Sequence, residues 1–261
     1  DASVLFINGP TSDLTEDELP KLSAYLKKGG RLLVLTGPQP DGKALPNLNK
    51  LMEAYGVKAA DGIVVEGSPS NFASNQPYAL LPDLVSNEIT IQLKNKNYYV
   101  LMPFAQGLQL VDAPSDSLIV NKLMKTSNKA YSKLAAYNMT TYEKEAGDID
   151  GGFALGVAIT DRIDEEKNIE ARIVWLSSTY LIDEATSKTV AGANQTLFTN
   201  AISWLCGTAD TGISIGAKSL AEETLTMTSS TVNLLMVLFV LVIPVIYLAA
   251  GIAVWIKRRH R

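Results

Sequence analysis

Apolar and polar positions follow two rhythms in the first quarter of the chain, one of short continuous runs and one of helical spacing. Ser3 to Asn8 (SVLFIN) is an apolar run broken by Gly9-Pro10, which predicts a buried strand and a turn. Thr15 followed by Glu18 is a capping-box pattern, and Leu19, Leu22 and Leu26 continue it as a helix to Lys28. Pro20 conflicts with that helix, because it removes a backbone donor within the second turn. Gly29-Gly30 stop the helix, and Arg31 to Thr36 (RLLVLT) predicts a second buried strand. Leu48, Leu51, Met52 and Tyr55 predict another amphipathic helix ending at Gly56, ahead of a strand from Gly62 to Val65. Strand, helix, strand, helix, strand over about 65 residues predicts a parallel sheet built by right-handed crossovers.

The pattern then becomes richer in strands, with Tyr98 to Met102, Leu108 to Val111, Phe153 to Thr160 and Ile169 to Ser177 as the predicted ones. Ala171 to Leu176 (ARIVWL) runs into the polar turn Ser177-Ser178-Thr179, and Leu197 to Leu205 predicts a helix closed by Gly207. Residues 208–231 are small, polar and Thr-rich, which predicts a juxtamembrane strand and spacer rather than core. No internal repeat or low-complexity tract interrupts the chain.

From Val232 to Ile256 no charge occurs, and at ~1.5 Å per residue this stretch reaches about 37 Å, enough to cross a ~30 Å hydrocarbon layer with some tilt. Leu, Val, Ile, Phe and Ala occupy every face, unlike a buried core helix with its polar stripe. Pro244 predicts a modest kink, and Trp255 and Tyr247 are candidate interface anchors. Lys257, Arg258, Arg259, His260 and Arg261 follow at once, and bases beside a span stay on the cytoplasmic side. The expected organisation is an extracytoplasmic α/β domain (1–207), a spacer (208–231), one transmembrane helix (232–256) and a basic cytoplasmic tail (257–261). Asp1 to Pro10 shows neither a charged leader nor a cleavage site. Because an exported domain needs a targeting element, residue 1 is expected not to be the native start.

Charge and chemistry narrow the function classes. The four tail bases leave residues 1–256 with 19 bases against 27 acids, a net charge of −8. That acidity argues against nucleic acid as a partner, since phosphate binding needs clustered Lys and Arg. The sole cysteine, Cys206, excludes an intrachain disulfide, and it is expected to be a packed thiol on the apolar face of its helix. His260, the one histidine, sits in the tail, so Ser-His-Asp and Cys-His mechanisms are excluded for this chain. Zinc lacks ligands, and the acids Asp148, Asp150 and Asp161, or Asp164, Glu165 and Glu166, match no calcium loop and read as solvated loop charges. Gly216-Ala217-Lys218-Ser219 imitates the end of a phosphate loop, but Ala217 separates Gly from Lys. Gly151, Gly152 and Gly156 form no dinucleotide fingerprint and read as turns opening a strand. Asn138-Met139-Thr140 and Asn194-Gln195-Thr196 satisfy the glycosylation sequon, a pattern common by chance. No catalytic, cofactor-binding or metal-ligating residue is assigned, and no cofactor is expected.

Several stretches together resemble one family. They are VLFINGPTSDLTEDELPKLSAYLKKGGRLLVL, LMEAYGV, MKTSNKAYSK, RIVWLSSTYLID, NQTLFTNAISWLCG, and the close ISIGAKSL before an apolar span and KRRHR. In order and spacing they are similar to the GldG-like accessory proteins of ABC transporters, a bacterial family named for gliding motility. The resemblance covers nearly the whole chain, although no single motif is diagnostic. It implies a flavodoxin-like, class I glutamine-amidotransferase-like domain with a mostly parallel sheet and added strands, without amidotransferase chemistry. It also implies an ABC permease and its cytoplasmic ATPase as partners, and an N-terminal membrane anchor. The chain departs from the family's usual His-Pro-Ile-Thr-like stretch at Glu88 in SNEIT, so no role tied to that position is carried over.

Three functions follow as expectations. The first is a non-enzymatic accessory subunit in the cell membrane, with its domain over the outer mouth of a transporter. The second is an extracytoplasmic module that binds a saccharide, lipid or peptide in the crevice at the C-terminal ends of the parallel strands, lined by Gly9 to Asp13 and Ser177 to Tyr180. The third is a hydrolase whose catalytic groups lie in a missing N-terminal region.

Overall fold

The computed structural model describes residues 2–39, 43–112, 115–207 and 227–259. The phosphate-loop imitation at 216–219, most of the predicted spacer, and His260 and Arg261 lie outside the described residues.

The chain opens with β1 (Leu5–Asn8), α1 (Glu18–Leu26) and β2 (Arg31–Leu35), in the predicted order and with β1 parallel to β2. However, β1 is the edge strand and is half exposed, Phe6 at 45%, rather than buried as expected. The capping box forms reciprocally, Thr15 N–H donating to Glu18 Oε2 at 2.9 Å and Glu18 N–H to Thr15 Oγ1 at 3.3 Å. Because α1 begins at Glu18, Pro20 falls in the first turn, where an N–H would have no intrahelical partner, and the conflict disappears.

Next come α2 (Pro46–Glu53), β3 (Val57–Ala59), β4 (Ile63–Val65), β5 (Ala79–Leu80), β6 (Asp83–Leu84), α3 (Ile91–Asn95), β7 (Met102–Pro103) and β8 (Leu108–Leu110). After them stand β9 (Leu118–Lys125), β10 (Tyr131–Lys133), β11 (Ile149–Asp150), β12 (Ala154–Asp164) and β13 (Ile169–Leu176). The domain closes with α4 (Glu184–Thr189) and α5 (Ala193–Leu205).

The α/β class is as predicted, but the sheet is mixed rather than mostly parallel. Its path is β1-β2-β13-β12-β8-β3, with β9 also on β12 and β6 on β9. Only β1, β2 and β13 are mutually parallel; β12 meets β13, β8 and β9 antiparallel, and β3 meets β8 antiparallel. The predicted third parallel strand, Gly62 to Val65, instead joins the small antiparallel sheet β11-β10-β4. Gly62 makes this possible with φ +93° and a backbone approach so close that a Cβ would lie 2.3 Å from Lys133 O. Tyr98 to Leu101 forms no strand, because the backbone groups of Leu101 bond to the Asn194 side chain instead of a ladder. Gly156 lies inside β12 at a register shift, where a Cβ would meet Met124 Cε at 2.8 Å and Leu176 Cδ2 at 2.9 Å.

Side chains alternate across the sheet and split the core in two. Leu32, Val34, Ile173 and Trp175 pack with Leu22, Leu26, Leu48 and Met52 from α1 and α2. Leu33, Leu35, Val174 and Leu176 pack with Leu197, Ala201, Trp204 and Leu205 of α5. Three layers result, helix on sheet on helix. Cys206 caps the C-terminus of α5 and is exposed, which corrects the packed-thiol expectation. The apolar stripe of α5 runs through Leu197, Ala201, Trp204 and Leu205, and Cys206 lies past its end.

One continuous helix, Ser229–Arg259, follows. It consists of α6 (Ser229–Met236), a π-helical segment (Val237–Val242) and α7 (Ile243–Arg259). Its apolar stretch is a candidate membrane span with no burial against the domain; Val240 is 70% and Tyr247 75% exposed. The irregular turn ends just before Pro244, whose ring clashes with the carbonyl of Val240 and which has no N–H to offer it.

Candidate functional site

The loops that leave the C-terminal ends of β1, β2 and β13 converge on Thr179. A Cβ on Gly9 would lie 3.2 Å from Thr179 Cγ2, and one on Gly37 3.5 Å from Thr179 Oγ1. Gly9 N–H donates to Leu35 O at 2.9 Å and Thr36 N–H to Leu176 O at 3.1 Å, so each loop is tied to the neighbouring strand. Trp175 Nε1 closes the floor by donating to Thr36 Oγ1 at 2.7 Å.

The sequence-predicted lining is only partly at the crevice. Asp13 turns away to cap α2, accepting from Asn47 N–H at 2.7 Å and Leu48 N–H at 3.1 Å. Ser177 and Ser178 are fully buried and their hydroxyls are committed, to Leu155 O at 2.9 Å and Pro103 O at 2.6 Å. They act as fasteners between strands, not as ligand groups. The actual cleft lies beside Gln39, Asn49, Asp61, Gln106, Leu134 and Ala136, with a volume of about 150 Å³. Small-molecule sites occupy ~300–1,000 Å³, so this cleft is too small to enclose a ligand of that class.

Next to the cleft stands an aromatic platform that the sequence did not reveal. Phe104 is its hub, stacked on Tyr78 at 4.5 Å and flanked by Tyr137 and Tyr180 at 5.5 Å each. Tyr142 leans on Tyr78 at 5.6 Å. Phe104 has φ +48°, a left-handed conformation that a bulky residue holds only when its surroundings impose it. Tyr137, Tyr142 and Tyr180 are 38%, 44% and 41% exposed, a concentration of half-open rings uncommon outside binding surfaces. Burial, and then Tyr180, push the Tyr137 phenol up; burial, and then Tyr142, do the same for Tyr78. Both therefore stay protonated donors through neutral pH. Residues from four separate segments meet here, Tyr78, Phe104, Tyr137 with Tyr142, and Tyr180, so no local spacing could have announced them.

Five of the six acids considered as cation ligands are engaged by other side chains. Asp148 bonds Lys133 at 3.3 Å, Asp150 pairs with Lys144 at 2.6 Å, and Asp161 accepts from Ser117 Oγ at 2.7 Å. Asp164 pairs with Lys167 at 2.8 Å and Glu165 with Arg162 at 3.8 Å. Of the two sequons, Asn194 is fully buried and bonded through its side chain, which closes it to modification in the folded state, whereas Asn138 is exposed. Glu88 is exposed on the approach to α3.

A family described as "ABC-type uncharacterized transport system" (ABC_transp_aux) matches residues 1–203. The chain belongs to this family. No curated protein matches the chain significantly. Among solved structures, the mmIFT52 N-terminal domain is similar at a TM-score of 0.55 and 16% identity, over 78% of this chain and 77% of that one. At that identity the likeness shows a shared fold. A ThuA-like protein from Bacteroides uniformis matches at a TM-score of 0.36 and 14% identity, over 78% of this chain and 69% of that one. The match assigns the mixed α/β domain to a family of ABC-type transport systems, and the candidate membrane helix follows the matched residues.

Proposed function

We propose that the chain is a non-enzymatic accessory subunit of an ABC transporter, GldG-like in role, anchored in the cell membrane by its C-terminal helix. The α/β domain stands outside the cytoplasm, the tail lies inside, and the domain contacts the permease, whose ATPase partner works on the cytoplasmic side. The family match over residues 1–203 carries this reading. The basic residues Lys257, Arg258 and Arg259 at the end of the apolar helix support the orientation. The platform around Phe104 supports a contact surface, since tyrosine and phenylalanine are enriched where proteins meet. Affinity purification of the full chain from membranes in mild detergent tests the proposal. It predicts recovery of a permease and an ATPase, and recovery of neither would refute it.

The exposed rings also favour a second reading, in which the platform takes a ligand directly. A specific ligand would raise the melting temperature of the chain by mass action. Saccharides, peptides and lipids screened by thermal shift separate the two readings, because the accessory reading expects no shift.

A further inference from the structure

The first turn of the membrane helix is built into the globular domain. Thr228 forms an antiparallel bridge with Ala73, and Ser229 is 1% exposed. Ser229 N–H donates to Phe72 O at 3.2 Å, its Oγ donates to Phe72 O at 3.3 Å and accepts from Asn75 N–H at 2.9 Å, and Ser230 N–H donates to Pro69 O at 3.1 Å. The receiving loop is itself locked. Ser74 and Asn75 hold left-handed φ of +54° and +57°, and Asn71 Nδ2 reaches Asp83 Oδ1 at 3.2 Å. Two adjacent non-glycine residues hold that region only where their surroundings impose it, and here the bonds to Ser229 and the Asn71–Asp83 contact do so.

Its position relative to the bilayer follows from helix length. A ~30 Å hydrocarbon layer takes about 20 residues, which counted outward from Lys257 places its outer edge near Val237. Ser229 is then roughly 12 Å further out at ~1.5 Å per residue, outside a headgroup layer roughly 5–8 Å deep, and it enters that layer once the helix sits about 5 Å, or three residues, deeper. Leu234 and Met236 are 66% and 55% exposed with no domain surface over them, which favours that deeper seat. From Gly67 to Pro82 the chain carries no charge, although residues 1–256 carry −8 overall. Its exposed residues 67, 69, 70 and 74–76 form an uncharged face, flanked by the carboxylates of Glu66 and Asp83 that accept from Ser68 N–H and Asn71 Nδ2, and it can approach anionic headgroups with less repulsion than the acidic faces would meet.

We propose that the Pro69–Gln76 loop is a clasp that seats the helix and holds this uncharged face in the lipid headgroup layer, so that domain and helix move as one body. The partner of this surface is the lipid headgroup itself. The inference rests on the membrane-anchored reading, and its test separates the two. Nitroxides are placed at Ser70→Cys or Leu241→Cys in a Cys206→Ser background, in the full chain in nanodiscs of phosphatidylethanolamine and phosphatidylglycerol. Nickel chelated to lipid headgroups should relax the residue 70 label severalfold more than nickel chelated in water does. A flexible Gly-Gly-Ser-Gly insertion between Ser230 and Thr231 should abolish that preference while the residue 241 label stays oxygen-accessible and water-shielded. A residue 70 label indifferent to headgroup nickel, with residue 241 still in hydrocarbon, overturns the clasp alone. A water-accessible residue 241 overturns the anchored reading and the clasp with it.

Discussion

Asn194 holds both backbone groups of Leu101, accepting from its N–H at 2.9 Å and donating to its carbonyl at 2.8 Å. A third bond, from Nδ2 to Leu181 O at 3.1 Å, ties the segment before α4 to the same side chain. Asn194 itself is at zero exposure, and it replaces the ladder that the 98–101 segment lacks. Asn194→Leu leaves three backbone groups without partners. At about 1 kcal/mol or more for each, it should lower the unfolding free energy by roughly 3 kcal/mol in urea titrations. A change below about 1 kcal/mol would mean that water or local rearrangement satisfies them.

Lys133 lies beneath the 143–148 segment with its side chain wholly covered, bonded to Glu145 at 2.7 Å, Asp148 at 3.3 Å and Glu143 O at 2.6 Å. Burial pulls its ammonium down, but the bonds to Glu145 and Asp148 outweigh that and leave it raised. Burial likewise pushes the Asp148 carboxyl up, and the N–H groups of Glu145 and Leu134 together with Lys133 bring it down on balance. Stability from Asp148 is present above its unfolded pKa of ~3.9 and is lost as pH falls through the lower folded value. Stability from Lys133 is present below ~10.4 and is lost as pH rises through the higher folded value. Lys133→Met should therefore cost about 2–3 kcal/mol between roughly pH 4 and 10, less than a fully buried pair because Glu145 is half exposed. The difference between wild type and variant should shrink outside that window.

Tyr137→Ala combined with Tyr180→Ala tests the platform. The rings are 38% and 41% exposed and both pack on Phe104, so the pair should lower stability by roughly 2 kcal/mol while leaving the chain folded. If they anchor the permease at about 2 kcal/mol each, capture in detergent should weaken at least tenfold. Unchanged capture would move the contact surface elsewhere on the domain or to the helix.

The elements legible in the sequence are those whose signals are local. The Thr15–Glu18 box, the runs of β2 and β13 and the uncharged helix each declare themselves within a few residues. The eight-residue strand β9 went unseen because Asn121, Lys122 and Lys125 interrupt its apolar run, and it forms by pairing with β12. Strand direction is not legible at Gly62–Val65 or in β8 and β12, although β13 does run parallel to β2, because parallel or antiparallel pairing is decided by distant partners. The platform and the clasp join residues from separate loops, Phe104 with Tyr180 and Asn75 with Ser229, and had no signature along the chain. Cys206 was misplaced by a single residue, the step that separates the apolar stripe of α5 from its exposed cap.

That exposed thiol offers the most direct test of the topology on which the account stands. Cys206 is the chain's one cysteine, and it sits on the globular domain. A membrane-impermeant maleimide added to intact spheroplasts expressing the full chain should label Cys206. With Cys206→Ser and His260→Cys, labelling should appear only after lysis. Labelling of the tail but not of Cys206 in intact cells would contradict the account.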